Sequence, residues 1–312
     1  MGKKKGASMS LKDETLKSAI RRMLQLKRKK LRPSTYTKYC KDAFLIEDAI
    51  GKYGVCELME NPKPILDWLS SFTVTKNTIN NRLIILKATY DMLSAETFMK
   101  IKYPLSGAKI DMFLDIKKST HKVDPFSLKE IEKILSKAGD MKNYWETAFF
   151  TGMRTSELHG LKWEDISSDE VRIRRGLING EEGDPKTEDS IRSIQIVING
   201  SPTRAKQALY RQRLLTSFND YVFVHPVTGG TLTTNYTQNN FKRICKRAGV
   251  VYRNQYQTRH SFASNMLLVH APREWLAQQM GHKDTSMITK TYGKWIPGTE
   301  VQLSGNYISQ SS

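Results

Sequence analysis

Apolar side chains recur every three or four residues through most of the first hundred positions, which is the spacing of an amphipathic α-helix. In the first such segment the apolar residues are Leu16, Ile20, Met23, Leu24 and Leu31. The pattern predicts four helices, over residues 11–31, 34–50, 65–72 and 76–93. Because helices of this kind can bury their apolar faces against one another, we expect a compact all-α unit over residues 10–100.

The helical pattern breaks over residues 101–124, where a proline, a glycine and a Lys-Lys-Ser-Thr run replace it. A change of composition of this kind is typical of a linker between domains. Ser127, followed three residues later by Glu130, is then a capping-box signature for the start of a new helix. We therefore expect residues 101–124 to connect the helical unit to a second domain over residues 125–297.

Apolar and charged residues alternate twice in this second domain, over residues 171–174 and 191–198, with an Asn-Gly turn sequence between them. A period of two is typical of β-strands, so the pair predicts a β-hairpin or a small sheet. Helical spacing predicts further helices over residues 143–151, 203–215 and 235–248. The expected fold class is therefore mainly α with a small β-sheet, that is, α+β.

The net charge of the chain indicates what kind of partner it binds. The chain has 312 residues and a formal net charge of +19, with many of its lysines and arginines in the first thirty-odd positions. An excess of this size favours a polyanionic partner, which is usually nucleic acid. Residues 1–9 are expected to form a basic N-terminal tail that lies on DNA, and residues 298–312 a C-terminal tail.

Composition also argues against several classes of protein. The cysteines, Cys40, Cys56 and Cys245, lack the spacing of a disulfide framework or a zinc site, which favours no metal and a reduced setting. No apolar run is long enough to span a membrane, and no signal-peptide core follows the N-terminal lysines. The expected location is the cytoplasm, in association with the nucleoid.

The candidate chemistry lies near the C-terminus. Arg259 and His260 open a helix-like segment, Gly281 and His282 follow a second one, and Tyr292 comes shortly afterwards. The planar fork of an arginine suits phosphate oxygens, a histidine can donate to them, and a tyrosine hydroxyl can be a covalent nucleophile. Together these groups could bind and attack a phosphodiester.

Three stretches resemble motifs of the tyrosine recombinase, or phage integrase, family. The stretch QTRHSFAS…QQMGHKD…TKTYGKW is similar to the family's second arginine box, its Gly-His pair and its nucleophilic tyrosine. Upstream, FFTGMRTSELHGLKWEDI is similar to the first box, in which the arginine of Thr-Gly-x-Arg-x-x-Glu-Leu is catalytic. The phrase DPKTEDSIRSIQI is similar to the hairpin that carries the family's lysine.

The resemblance implies a set of catalytic residues: Arg154, Lys186, Tyr256, Arg259, His282 and Tyr292. In the implied reaction Tyr292 attacks DNA to form a 3′-phosphotyrosyl link, and Lys186 protonates the leaving 5′ oxygen. The two arginines and His282 bind the phosphate. Glu157 is a supporting residue that is expected to orient Arg154.

One position departs from the family pattern. Tyr256 stands where the family usually has a histidine, three residues before the second arginine. A phenol is a poorer base than an imidazole near neutral pH, so Tyr256 is expected to donate or relay a hydrogen bond. His260 could take the place of the missing base, or it could simply pack into its helix.

The N-terminal helices are similar to the helical (SAM-like) core-binding domain that precedes the catalytic domain in this family. There, a helix in the position of residues 76–93 lies against the duplex. The candidate DNA contacts on it are Asn77, Thr78, Asn81, Arg82 and Lys87. The segment after the tyrosine would dock on a neighbouring subunit, with Trp295 and Ile296 as anchors.

The implied function is site-specific recombination of double-stranded DNA by a homotetramer, for the integration or excision of a phage or another mobile element. An accessory DNA-bending protein is a further candidate partner. The phosphotyrosyl link keeps the energy of the phosphoester, so no cofactor is expected. Two alternatives stay open: a type IB topoisomerase-like relaxase with the same chemistry, and a DNA-binding protein with an impaired catalytic site.

Overall fold

The computed structural model describes the chain in segments: residues 11–71, 73–98, 100–105, 116–117, 123–178, 180–183 and 191–293. The chain divides into two compact units, Met1–Lys122 and Val123–Ser312. None of the helices in the described segments is both long enough and apolar enough to cross a membrane. Several predicted features lie outside the described residues, namely the basic tail 1–9, most of the linker 101–124, Lys186, Trp295, Ile296 and the tail 298–312.

The first unit is built from helices. They are α1 (Leu16–Arg28), α2 (Pro33–Ile50), α3 (Val55–Glu60), α4 (Lys63–Ser70) and α5 (Lys76–Thr97). Just before α5, the short strand β1 (Val74–Thr75) pairs in parallel with β2 (Ile116–Lys117). The apolar faces of the helices meet in one core, which includes the fully buried residues Leu16, Ile20, Ile46, Leu69 and Tyr90.

The prediction of four helices in this unit is wrong, because α3 forms as well. With six residues, α3 is too short to show a helical repeat in the sequence. It begins after Gly54, whose backbone N–H donates to Glu57 Oε2 over 3.1 Å. Val55 and Leu58 then bury its apolar face in the core of the unit.

The five candidate DNA contacts on α5 differ in their surroundings. Asn77 and Lys87 are exposed, whereas Thr78 and Asn81 are half-buried. Arg82 is also half-buried and lies against Trp68, with its guanidinium carbon 5.5 Å from the centre of the ring. Contact between these residues and DNA stays a prediction.

In the residues that the structure describes, the second unit combines helices with three small antiparallel sheets. Its helices are α6 (Leu128–Ser136), α7 (Lys142–Thr151), α8 (Thr155–His159), α9 (Arg204–Thr216), α10 (Thr234–Ala248), α11 (Gln257–Leu268), α12 (Arg273–Met280) and α13 (Ser286–Tyr292). Its strands are β3 (Glu170–Ile173), β4 (Gly176–Ile178), β5 (Glu181–Gly183), β6 (Arg192–Gln195), β7 (Val197–Ile198) and β8 (Ser201–Pro202). The pairs are β3 with β6, β4 with β5, and β7 with β8. The predicted α+β class is confirmed.

Local signals in this unit behave as the sequence predicts, with one difference. The capping box is confirmed, since Ser127 Oγ accepts from the Glu130 backbone N–H and Glu130 Oε2 accepts from the Ser127 backbone N–H. The two alternating runs pair as a small antiparallel sheet, β3 with β6, in which Val171 lies opposite Ile194. They do not form a hairpin, because β4 and β5 lie between them in the chain. The run 191–198 is not one strand, however, because β7 leaves β6 after Ile196 and pairs with β8.

Two hydrophobic clusters stabilise the second unit. The larger one contains the aromatic residues Phe126, Tyr144, Trp145, Phe149, Phe223 and Phe241. The smaller one joins α11, α12 and α13 through Phe262, Ala263, Leu267, Leu276, Met280, Ile288 and Tyr292. Packing among these three helices therefore sets the relative positions of the C-terminal residues that the sequence singles out.

Candidate active site

The site is assembled from the ends of helices that are far apart in the chain. Arg154 stands immediately before α8, and Arg259 and His260 lie in the first turn of α11. His282 follows the end of α12, and Tyr292 is the last residue of α13. Backbone at helix ends has unpaired polar groups, which are available to hold charged side chains.

Arg259 is almost fully buried, with 1% of its surface exposed. Its Nη1 donates to the Gly152 carbonyl oxygen over 2.6 Å, and its Nη2 donates to the Met280 carbonyl oxygen. These carbonyls lie at the C-terminal ends of α7 and α12, where the helix dipole places partial negative charge. Burial, followed by the charge of Arg154, lowers the pKa of Arg259 to about 10, so the guanidinium remains charged at neutral pH.

Glu157 is a buried carboxylate that joins two arginines. Its Oε1 accepts from Arg154 Nη1 over 2.6 Å, and its Oε2 accepts from the Arg154 backbone N–H over 2.8 Å. From the other side, Arg192 donates Nη1 and Nη2 to the same two oxygens over 3.0 and 2.9 Å. Burial alone would raise the pKa of Glu157, but Arg192, Arg154 and Arg259 outweigh it and lower the pKa to about 2. The carboxylate is therefore ionised.

His282 completes the surroundings of Arg259. Its Nε2 lies 3.1 Å from Arg259 Nη2. Because a guanidinium has no acceptor, Nε2 must accept this hydrogen bond, and the proton of the neutral ring must be on Nδ1. Burial and the charges of Arg259, Arg154 and Arg192 lower the pKa of His282 to about 4. The ring is thus neutral, and its Nδ1 N–H has no hydrogen-bond partner among the described residues.

His260 and Tyr292 form the second half of the site. His260 Nδ1 lies 2.6 Å from the Tyr292 hydroxyl oxygen, and Tyr292 is 2% exposed. Burial raises the pKa of Tyr292, while the nearby charge of Arg259 acts in the opposite direction. Burial and the charge of Arg259 lower the pKa of His260 to about 4. At neutral pH the pair is therefore a neutral imidazole beside a protonated phenol.

Positive charge is concentrated in the described part of the site. Three guanidinium groups, those of Arg154, Arg192 and Arg259, surround the carboxylate of Glu157. They belong to a largely buried cluster, and Arg154 keeps 30% of its side chain exposed. Such a cluster favours an anionic ligand, and arginine forks suit phosphate oxygens in particular.

Comparison with known proteins decides the family. The model described as "Phage integrase family" matches residues 124–295, which is more than half of the chain. The chain belongs to the phage integrase family. The resemblance seen in the motifs is thus confirmed. Among individual relatives, the chain is 29% identical over 250 residues to prophage integrase IntR of Escherichia coli (strain K12). That match covers 71% of this chain and 58% of IntR, so the chain spans little more than half of this relative.

Solved integrase structures have the same fold. An integrase of transposon Tn1549, in complex with a circular intermediate DNA, matches with a TM-score of 0.74 at 19% identity, over 90% of this chain and 95% of that one. A lambda integrase tetramer bound to a Holliday junction matches with a TM-score of 0.66 at 14% identity, over 89% and 80% of the two chains. At these identities the likeness shows the shared integrase fold.

The structure brings most of the predicted site residues of this integrase-family chain together. Arg154, Glu157, Arg259, His260, His282 and Tyr292 form the connected cluster described above. Tyr256 lies at its edge, 44% exposed, with its ring centre 5.1 Å from that of His260. The position of Lys186 in the site stays a prediction. Among the described residues, no group of three or more His, Cys, Asp or Glu is placed to hold a metal ion.

Sequence analysis missed Arg192 as a site residue. It begins β6, its side chain is 6% exposed, and it contacts Glu157 directly. A signal was present, because Arg192 belongs to the phrase DPKTEDSIRSIQI that resembles the family's hairpin. The resemblance assigns a role to the lysine of this phrase alone, and a strand arginine next to polar residues has the pattern of an exposed position.

A substitution at Gly152 tests how much its close contact with Phe262 contributes to stability. It has φ +66, and a Cβ built on it would lie 2.5 Å from Phe262 Cδ1. We expect Gly152→Ala to lower the free energy of unfolding by about 2–4 kcal/mol through backbone strain and overpacking. Gly249→Ala is the matched control, with φ +62 and no atom within 4 Å of its Cβ. Chemical denaturation of both variants measures the difference; equal losses would contradict the contact with Phe262.

Proposed function

We propose that this protein is a site-specific DNA recombinase that cleaves and rejoins DNA through a 3′-phosphotyrosyl intermediate on Tyr292. The observation that carries the proposal is the pairing of an anion-binding cluster with a tyrosine whose hydroxyl lies 2.6 Å from a neutral histidine. A scissile phosphate needs charge stabilisation, a nucleophile and an acceptor for the proton of that nucleophile. This cluster supplies all three.

Arg154 and Arg259 are proposed to bind the non-bridging oxygens of the scissile phosphate. A phosphodiester carries one negative charge, and a five-coordinate transition state carries more, so the guanidinium groups of Arg154 and Arg259 favour the transition state. His282 is proposed to donate a further hydrogen bond from its Nδ1 N–H, which has no partner among the described residues. Glu157 holds Arg154 in place and does not react.

His260 is proposed to take the proton of Tyr292 during attack. Its Nδ1 can accept when the ring proton is on Nε2, and its low pKa keeps the ring unprotonated at neutral pH. A bound phosphate would stabilise the imidazolium that forms, because opposite charges nearby favour the ionised form. Tyr256 is proposed to support the ring of His260, since the two ring centres lie 5.1 Å apart in an edge-to-face arrangement. Lys186 is proposed to protonate the 5′ oxygen.

The proposed substrate is double-stranded DNA at specific sites, and the proposed role is the integration or excision of a phage or another mobile element. Strand exchange requires that a 5′-hydroxyl from a second duplex attack the phosphotyrosyl link, so two duplexes must be held together. A homotetramer on DNA would meet this need, and the lambda integrase neighbour is a tetramer on a Holliday junction.

The experiment that tests the proposal uses the full chain and a library of duplexes with randomised sequence, each with a nick. When cleavage occurs beside a nick, the short fragment diffuses away and traps the covalent intermediate. We expect complexes that resist detergent, with DNA linked through its 3′ phosphate to a peptide that contains Tyr292, and with a shared sequence in the recovered DNA. Relaxation of any supercoiled plasmid without a recovered site would instead indicate a topoisomerase, and the absence of adducts would contradict both activities.

A further inference from the structure

Arg192 connects the two sides of the cluster that binds the phosphate in the proposed function. Its guanidinium holds both oxygens of Glu157, which in turn hold Arg154. Its Nε donates to the carbonyl oxygen of Gln279, in the last turn of α12, over 2.7 Å. One buried side chain therefore contacts both the start of α8 and the end of α12.

The backbone at the end of α12 packs closely against the side chain of Arg192. Gly281 has φ +64, and a Cβ on it would lie 2.9 Å from Arg192 Cδ and 3.1 Å from Arg192 Nη1. The Gly281 carbonyl oxygen also accepts from Arg154 Nη2 over 3.4 Å, and His282 is the next residue. The backbone that carries His282 thus lies directly on Arg192, so a shorter side chain would leave a gap there.

A second contact ties the same strand to the same helix. The Gln195 backbone N–H donates to Gln279 Oε1 over 3.0 Å, and Trp275 Nε1 donates to the side-chain oxygen of Gln195. β6 and α12 would therefore stay together without Arg192. Arg192 adds a direct link from this pair to Glu157, whose other hydrogen-bond donors among the described residues belong to Arg154.

We propose that Arg192 is a positioning residue for strand cleavage, and this inference rests on the proposed function. It fixes Glu157 from the side opposite to Arg154, and it sets the distance between Arg154 and the turn that carries His282. With 6% of its side chain exposed and all three guanidinium nitrogens engaged, it acts through its neighbours and does not bind DNA itself. A lysine keeps the positive charge but has one nitrogen, so it is unable to hold three acceptors in a plane.

The test measures the rate at which the full chain forms covalent adduct on a nicked duplex of its recovered site, under single-turnover conditions. We expect Arg192→Lys and Arg192→Gln to lower this rate by about 10²-fold, the size of effect that small displacements of catalytic groups produce. DNA affinity is expected to change by less than about threefold, since Arg192 has only 6% of its side chain exposed and is proposed to act through its neighbours. Arg172→Gln, on the paired strand β3 with half of its side chain exposed, is the matched control and should keep the wild-type rate.

A modified substrate separates positioning from simple loss of structure. Replacing one non-bridging oxygen of the scissile phosphate by a methyl group removes the charge that Arg154 is proposed to neutralise. On this DNA the loss caused by Arg192→Gln should shrink to less than about tenfold, because a displaced Arg154 then matters less. Melting curves show how much of each variant is folded. If Arg192→Gln does not fold, the two substrates are compared with Arg192→Lys instead.

Two outcomes would overturn the inference. One is a wild-type rate for Arg192→Lys. The other is an equal loss on the charged and the methylated substrate, which would assign Arg192 to structure alone. A wild-type chain that forms no adduct on any DNA would be a different failure, because it would remove the proposed function itself.

Discussion

Replacing Tyr292 by phenylalanine is expected to abolish the covalent protein–DNA complex, with a loss of at least about 10⁴-fold in the rate of adduct formation. The variant lacks only the hydroxyl oxygen that lies 2.6 Å from His260 Nδ1. Among Arg154, Glu157, Arg259, His260, His282 and Tyr292, only Tyr292 has a hydroxyl group. Adduct formation on a nicked duplex, separated in a denaturing gel, measures the loss.

The phenylalanine variant should still fold and bind DNA. Tyr292 is 2% exposed and packs in the cluster of α11, α12 and α13, and phenylalanine keeps those apolar contacts. Removing the hydroxyl leaves His260 without a partner, which costs about 1–3 kcal/mol of folding free energy. A second buried tyrosine–histidine pair provides the control, since the Tyr144 hydroxyl lies 3.1 Å from His159 Nε2.

Tyr144→Phe should therefore lose similar stability but keep the cleavage rate, because Tyr144 lies in the larger core and its hydroxyl is paired with His159, which is not one of the proposed catalytic residues. If Tyr292→Phe still forms adduct at a measurable rate, another residue is the nucleophile. If both variants lose activity in proportion to stability, the effect of Tyr292→Phe is structural. Either result would contradict the role proposed for Tyr292.

Much of the fold follows from short-range signals. Each long helix of the first unit buries one face, which places apolar residues at helical spacing in the sequence. This spacing predicts α1, α2, α4 and α5 with small errors at the ends. The capping box before α6 and the alternation in β3 and β6 are equally local. By contrast, α3 has only six residues, and its start depends on one side-chain hydrogen bond between Glu57 and Gly54. A repeat of 3.6 residues needs a longer segment to be visible.

Site residues that belong to a sequence motif could be predicted. Site residues whose role depends on a contact formed in the folded chain could not. Arg154, Arg259, His282 and Tyr292 stand in boxes that resemble a family pattern. The partner of His260 depends on how α13 packs on α11, and nothing in the sequence sets that distance in advance. The role of Arg192 was still harder to predict from the sequence. Its two partners, Glu157 and the end of α12, come together only when the chain folds.

The electrostatics of the cluster connect its stability to its proposed activity. Arg154, Arg192 and Arg259 repel one another, and the repulsion is part of why the pKa of Arg259 is lowered. One carboxylate, Glu157, and two helix ends offset some of this cost. A bound phosphate would offset more, so DNA binding should stabilise the protein by an amount that grows with the logarithm of the ratio of DNA concentration to Kd. Burial, together with the charge of Arg259, lowers the pKa values of His260 and His282 and keeps both rings neutral.

Substituting glutamine for His260 is expected to slow adduct formation by about 10²–10⁴-fold at neutral pH, the usual contribution of a general base. Glutamine fills a similar volume and can still hydrogen-bond to the Tyr292 hydroxyl, but it does not take up a proton. Tyr256→Phe is the matched control on the neighbouring ring, which lies 5.1 Å away. If Tyr256 only supports His260, that variant should lose less than about tenfold.

The dependence of the rate on pH distinguishes loss of a base from loss of shape. In the wild type, His260 accepts a proton only when it is unprotonated, so the rate should fall as pH decreases through the pKa of His260, which is about 4 without DNA and higher beside a bound phosphate. Without His260, attack requires a phenolate that is already ionised. Because burial raises the pKa of Tyr292, the phenolate fraction grows about tenfold per pH unit across the neutral range. The rate of His260→Gln should therefore climb steadily from pH 6 to pH 9 while the wild-type rate stays level over that interval. Parallel profiles for the two proteins would show that His260 holds Tyr292 in place without accepting its proton.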